Sequence, residues 1–305
     1  MAQKLDWNDL RFFLEVARVG RLSRAARRLG VSHTTVARHI TRLEDLLRNR
    51  LFETGEDGLI PTEAGAALIP LAEGMEHRAQ EAMDRLQLPG TLTGRVRIGA
   101  PDGFGNAVLS RWLPDILKLE PQLEIELVPV PSAHKLWNRD VDIAISLDRP
   151  QSGRLVVRKL IDYDLRLYAV PGFFDSAGIP ATPSDLAGTQ AVGYIDELLY
   201  ADALDFERQI HPDLRTRYRA ATVQAQLDAI RAGAGVGVLP CYMARATDLQ
   251  PILPDQIRFK RAYWLLYGED SRNLTRIRRV ADFLYQVTRK HADQFAFDPP
   301  SGLVS

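Results

Sequence analysis

Apolar side chains recur at helical spacing through the first fifty residues. Leu10, Phe13, Leu14 and Ala17 mark one face of a helix, and Leu22, Ala25, Ala26 and Leu29 mark a second. Gly30 then interrupts, and Ser32 follows as an N-cap worth about 1 kcal/mol. Val36, Ile40, Leu43 and Leu47 line a third helix at i, i+4, i+7 and i+11. Two short amphipathic helices joined by a turn of three or four residues containing Gly form a helix-turn-helix, and the small Ala25 and Ala26 let them cross closely. The first helix completes the small core. Beyond it, the pairs Leu51-Phe52 and Leu59-Ile60 flank "TGEDG", which predicts a two-stranded wing.

The apolar pattern then lengthens. Leu68, Ala72, Met75, Ala79, Ala82 and Leu86 are spaced 4, 3, 4, 3, 4, a heptad seam rich in small residues. An interior proline costs about 3 kcal/mol, so at Pro70 the helix either kinks or starts nearby. The seam serves a partner helix or, alternatively, packs on its own domain in a monomer. "LPGTLTG" (Leu88–Gly94) reads as a hinge. From Arg95 onward strand-like runs alternate with helical patterns. "RVRIGA", "EIELVPV" and "VDIAIS" are separated by helices near Asn106–Leu119 and Ala133–Trp137. "LRLYAV", "QAVGYI", "RYRAAT" and "GVGVLP" follow, with helices at Ala201–Gln209 and Val223–Ala232, then "RAYWLLYG" and a long helix near Leu274–His291. Such alternation implies α/β layers. "GAGVG" (Gly233–Gly237) is no dinucleotide fingerprint, because a helix precedes it and a strand follows, the reverse of the required order.

Composition adds little: 305 residues, 46% hydrophobic, 39 basic against 39 acidic side chains. Length predicts about two domains. With Cys241 alone, neither an internal disulfide nor a thiolate zinc cluster is available, and the thiol reads as buried and inert. The start shows no signal-peptide pattern and no run of about 18 apolar residues occurs, so a cytoplasmic chain without membrane contact is expected.

Charge distribution changes the picture. Between Gly20 and Arg50 eight arginines face only Glu44 and Asp45, so a strongly basic head is balanced by an acidic remainder. His33, Thr34, Thr35 and Arg38 point away from the apolar face of the third helix, as the N-terminal residues of a recognition helix in the major groove do. Arg38 is placed to bond guanine in bidentate fashion, and the threonines, beside Ser32, to meet base edges or a thymine methyl. Arg24, Arg27, Arg28, Arg42 and Arg50 suit phosphates. The competing reading is a solvated scaffold. The six histidines are scattered without ligand spacing, Cys241 has no evident partner, and acidic pairs such as Asp162/Asp164 are common on strand ends, so no catalytic or metal-binding constellation emerges.

"FLEVARVGRLSRAARRLGVSHTTVARHITRLEDLL", "LFE" and "PTEAG" resemble the DNA-binding end of a LysR-type transcriptional regulator, specifically over residues 5–65 and more weakly to about 293. The resemblance implies a multi-domain fold: an all-α winged helix-turn-helix over 1–62, a linker helix over 63–89, and an α/β periplasmic-binding-like effector domain over 90–298. Its two lobes are expected at about 94–163 with 267–295, and at about 164–266, around a ligand cleft. Double-stranded promoter DNA, a small-molecule effector, RNA polymerase and further copies of the chain, paired through the linker helix into a homotetramer, are the implied partners. No cofactor and no enzymatic activity are implied. The alternative is a small-molecule binding protein whose basic head is structural only.

Four positions depart from the family pattern: Arg21 for a usual Ser, Ala37 for a frequent Ser, Arg48 for a common Gly, and Thr54 for a frequent Arg. Cleft residues are expected at strand ends and helix N-termini. "GAPDGFGNAV" places Asp102, Gly103 and Phe104 at such a junction, where many relatives offer Ser or Thr to a carboxylate ligand. Asp102 can cap the helix there and occupy its amides, which argues against a simple carboxylate effector. Ser132, Ser146, Tyr194, Thr222 and Gln224 are the opposing candidates, each equally readable as cap or core.

Overall fold

The computed structural model describes residues 5–55, 58–86, 92–129, 141–151, 153–174, 178–198 and 204–298. The chain divides into two units, Met1–Leu88 and Pro89–Ser305.

In the first unit α1 (Trp7–Val19), α2 (Leu22–Leu29) and α3 (His33–Leu47) precede β1 (Phe52–Gly55), β2 (Gly58–Pro61) and α4 (Glu63–Leu86). α1 ends at Gly20 and α2 at Gly30, both at φ +67°, the left-handed conformation in which glycine carries no Cβ penalty. The Ser32 hydroxyl accepts the Thr35 N–H at 3.1 Å and starts α3. Phe13, Leu14, Ala25, Val36 and Leu43 share one core. Leu47 does not: it is 37% exposed, because α3 ends there and the chain turns off to the wing.

The wing is seated by backbone. Leu59 N–H donates to the Gly20 carbonyl at 2.7 Å, and a Cβ at Gly58 would stand 2.4 Å from the same oxygen, so only glycine allows this approach. The Thr62 hydroxyl donates to the Arg50 carbonyl at 2.7 Å and accepts the Gly65 N–H at 3.1 Å, opening α4.

α4 neither starts at Pro70 nor breaks there; it is helical from Glu63 to Leu86. Ala66 and Pro70 are both exposed, so water reaches the carbonyl that the proline leaves without a donor. The expected seam is divided between two uses. Leu68 and Ala72 pack into the head's own core, while Met75, Ala79 and Ala82 are exposed alongside Leu71, itself 67% exposed. The side chain of Leu86 lies outside the described residues.

The second unit is built on a sheet with strand order β10-β6-β11-β5-β3-β4, to which β9 adds by pairing with β6. Its strands are β3 (Gly94–Ala100), β4 (Leu123–Pro129), β5 (Ile143–Ser146), β6 (Leu155–Ala169), β9 (Gly237–Pro240), β10 (Gln250–Ile252) and β11 (Arg258–Gly268), while β7 (Gln190–Tyr194) and β8 (Arg215–Ala220) pair separately in parallel. β3, β4 and β5 form lobe one with α6 (Ser110–Leu119) and α10 (Thr275–Lys290). Lobe two holds β7 to β10 with α7 (Glu207–Ile210), α8 (Val223–Arg231) and the short α9 (Cys241–Ala244). β6 and β11 are antiparallel and run through both lobes. β6 is 15 residues long, although only "LRLYAV" stood out, because the first half alternates charged and apolar residues less cleanly. Trp264 already pairs with Ser146 of β5, so β11 re-enters lobe one there rather than near residue 267.

Where one helix was expected over Asn106–Leu119, the chain forms a short α5 (Asp102–Phe104), a π turn (Gly105–Leu109) and then α6. The helix expected at Ala133–Trp137 and most of the hinge lie outside the described residues. A tail after α10 links the lobes again. Phe295 packs on Phe104 and Tyr242, the Phe297 N–H donates to Asp164 at 2.9 Å, and Arg166 lies 4.5 Å over the Phe297 ring.

Arg48 ends α3 at φ +53°, in the left-handed conformation that favours glycine. A side chain in this conformation costs roughly 1 kcal/mol. Arg48→Gly is therefore expected to stabilise the chain by about 1 kcal/mol in thermal or urea unfolding, with Arg48→Ala bringing no such gain.

Candidate functional site

The basic head is organised around acids. Asp9 of α1 is 1% exposed and accepts from Arg42 Nε at 2.7 Å, from Arg42 Nη2 at 2.6 Å and from His39 Nδ1 at 2.7 Å. Arg42 also reaches Asp6 at 2.7 Å. Its hydrogen bonds to Asp9 hold the guanidinium above its ordinary range. His39 stacks on Phe12 with centroids 3.9 Å apart. Glu15 takes Arg28 at 3.1 Å. Glu44, 8% exposed, accepts the Leu51 N–H at 2.8 Å and Arg50 at 3.0 Å, which ties α3 to the start of the wing.

This pairing re-sorts the arginines. Arg42 acts as a strut between α3 and α1: although it is exposed, its Nε and Nη2 are taken by the buried carboxylate of Asp9 and by Asp6. Arg28 and Arg50 each hold a carboxylate through one nitrogen and remain exposed. Arg24, Arg27 and Arg38 are exposed with no carboxylate partner among the described residues. His33, Thr34 and Arg38 are exposed on α3; Thr35 is half-buried, its hydroxyl 2.8 Å from Ser32 Oγ. Ser32 is itself occupied as the cap. Thr41 is exposed one turn beyond Arg38, and the spacing Thr34, Arg38, Thr41 places the three on one side of α3.

The second unit holds a cleft of about 350 Å³, its open mouth included. Of the candidates, Asp102, Gly103 and Tyr194 line it. Four other candidates do not. Phe104 is fully buried beneath it, 4.3 Å from the Tyr263 ring. The Ser146 hydroxyl closes a turn, donating to the Asp148 carbonyl at 2.8 Å. Thr222 caps α8 through the Ala225 N–H, and the Gln224 side chain turns to Asp228 at 3.2 Å. Ser132 lies outside the described residues.

The cleft is instead walled by Tyr163, Tyr263, Phe206, Leu204 and Pro240. Tyr163 and Tyr263 come from the crossing strands, stack at 4.3 Å, and Tyr242 joins them with its hydroxyl 2.8 Å from that of Tyr263. Burial pushes both stacked phenols well above their usual range, so they are neutral donors or acceptors. Pro240, ending a strand, and Leu147, directly after β5, carried a signal that the strand-end rule could have used.

Asp102 does not cap its own helix alone. Its Oδ2 accepts the Gln224 N–H at 3.2 Å, at the N-terminus of α8 in the opposite lobe. Burial raises its pKa above the ordinary carboxylate range, opposed by the amides of Gln224, Gly103 and Val223. Elsewhere, Asp162 pairs with Lys159 at 2.7 Å and Asp164 holds the tail, so the acidic pair is structural.

The model of the lysR-family bacterial regulatory helix-turn-helix protein matches residues 7–66, and that of the LysR substrate binding domain matches residues 89–289. The chain belongs to the LysR family. It is a LysR-type transcriptional regulator, with a helix-turn-helix DNA-binding domain and an effector-binding α/β domain of two lobes. LysR-type regulators are not enzymes; they bind promoter DNA and small-molecule effectors, and they oligomerise. The reading of the basic head as merely structural is thereby set aside. The chain is 27% identical over 282 residues to the Mau operon transcriptional activator of Paracoccus denitrificans, covering 92% of this chain and 95% of that one. Among solved structures it matches a full-length OxyR variant from Pseudomonas aeruginosa at TM-score 0.70 and 18% identity, covering 92% and 98%. CrgA from Neisseria meningitidis matches at TM-score 0.59 and 23% identity, covering 93% and 99%. These two likenesses speak to the fold. No helix among the described residues is long and apolar enough to cross a membrane.

The division among arginines predicts different stabilities. Arg42→Ala strands Asp9 beside His39 alone and is expected to lower the melting temperature by about 3 °C or more, whereas Arg27→Ala should leave it unchanged. Equal melting of the two variants would contradict the strut.

Proposed function

We propose that this regulator reads its operator through the N-terminal half of α3. His33, Thr34, Thr35 and Arg38 face the major groove, with Arg38 on guanine and Thr41 at the groove's edge. Arg24 and Arg27 hold phosphates; Arg28 and Arg50 assist through the nitrogens their acids leave open. Ser32 shapes the helix start, and Arg42 fixes the angle at which α3 is presented. The observation that carries this reading is the set of exposed, acid-free side chains Arg24, Arg27 and Arg38 beside the exposed His33 and Thr34.

The head (1–62), the linker helix (63–89) and the effector domain (90–298) divide the work. A small molecule in the cleft alters closure of the lobes, which resets the spacing of the DNA-binding heads; only a differential affinity for two states is required. The exposed stripe Leu71, Met75, Ala79 and Ala82 is the face of α4 that pairs copies of the chain. The assembly is a homotetramer that acts in the cytoplasm with RNA polymerase.

Two measurements test the DNA reading. Affinity for a promoter duplex is expected to fall roughly a thousandfold between about 50 and 200 mM salt, since a dimer neutralises six or more phosphates. A flat titration would contradict it. Arg38→Ala is expected to relax discrimination at one base pair by about 1–3 kcal/mol, while Arg27→Ala weakens all sequences alike. Identical specificity profiles for the two variants would remove Arg38 as base reader.

A further inference from the structure

We propose that the Asp102 carboxylate is a built-in occupant of the anion seat at the start of α8, latching lobe one to lobe two and making the cleft prefer effectors that bear an ammonium group over carboxylates. This rests on the effector cleft described under the proposed function and names the chemistry that cleft accepts.

A helix N-terminus presents amide donors and the positive end of the helix dipole, so an anion is stabilised there. In this chain the anion comes from the opposite lobe: Gln224 N–H, the second amide of nine-residue α8, donates to Asp102 Oδ2 at 3.2 Å. The Thr222 side chain already serves the Ala225 amide. The seat is thus filled without any ligand.

The neighbouring residue shows that the latch is packed rather than loose. A Cβ on Gly103 would stand 2.6 Å from Val223 Cγ1 and 2.9 Å from Met243 Sδ, so lobe one meets lobe two here with no gap. Both structures that Gly103 faces belong to lobe two, one at the start of α8 and one in α9.

The rest of the lining decides the ligand. Tyr163, Tyr263, Phe206 and Val238 supply aromatic and aliphatic surface, and Asp102 is the only charged residue that lines the cleft among the described residues. Arg261 stands behind the wall, 5.6 Å over the Phe206 ring, so among the described residues that line the cleft no cation offsets a bound aromatic carboxylate lying beside Asp102. Two like charges about 4 Å apart, in surroundings of moderate polarity, repel by enough to lower affinity roughly a thousandfold. An ammonium group reverses the sign of that interaction and forms a charge-assisted hydrogen bond with the same carboxylate.

The test uses the full chain and two probes of the same ring size, benzylamine and benzoate, titrated calorimetrically into the wild type, Asp102→Asn and Asp102→Ser. The wild type is expected to bind benzylamine at least about tenfold more tightly than benzoate. Asp102→Asn keeps the acceptor, removes the charge and should abolish the preference. Asp102→Ser vacates the seat and should reverse it, favouring benzoate at least about tenfold. Should the Ser variant fail to fold, the isosteric Asn variant decides alone. A probe preference that does not change with residue 102 overturns the latch and leaves the effector cleft standing. Failure of both probes to bind any of the three proteins removes the cleft reading along with it.

Discussion

A carboxylate buried to 1% exposure in the first helix sets the geometry of the whole DNA-binding head. A charge so enclosed must be paired, and among the described residues Asp9 is paired by groups from α3, Arg42 and His39. α3 is thereby fixed against α1 at one rotation about its own axis, with His39 wedged flat on Phe12. That rotation is what leaves His33, Thr34 and Arg38 facing outward. Glu15 and Glu44 repeat the logic, the first holding Arg28 of α2 and the second holding the start of the wing. The head therefore keeps Asp9, Glu15 and Glu44 inside the scaffold and Arg24, Arg27 and Arg38 outside. Its excess positive charge is less important than which arginines remain unclaimed.

The effector domain applies a related constraint between its lobes. β6 and β11 carry the chain across and place Tyr163 against Tyr263 at the crossing. The tail from Phe295 to Phe297 makes a further link, through Tyr242, Asp164 and Arg166. Asp102 adds a polar tie at the cleft mouth. An effector acting here has to change contacts that the protein already makes with itself, which couples ligand chemistry directly to lobe position.

Much of this was legible in the sequence, and the limits are instructive. Period and punctuation were enough for the three head helices, the Gly30 turn, the Ser32 cap and the wing, because each depends on neighbours in the chain. The α/β alternation and the reversed order around Gly233–Gly237 were readable for the same reason. What escaped depends on residues far apart. Arg42 and Arg27 look alike in sequence, and only the placement of Asp9, 33 residues away from Arg42, separates a strut from a free cation. Tyr163 and Tyr263 carry no local mark of a ligand site; the fold makes them neighbours. Ser146 and Thr222 followed the right rule about strand ends and helix starts, yet local turns and caps had already claimed their hydroxyls. Asp102 reads in the sequence as a cap for its own helix, whereas its Oδ2 accepts an amide at the start of a helix in the other lobe.

The central claim is that internal acids decide which arginines meet DNA, and the salt dependence of promoter binding by single variants tests it most directly. Each lost phosphate contact lowers the slope of log affinity against log salt by about one. The account predicts that Arg27→Ala flattens the slope by about that amount per head, while Arg42→Ala leaves the slope at the wild-type value even where affinity falls. A slope that flattens equally in both variants would show that Arg42 touches the phosphates and would contradict the account.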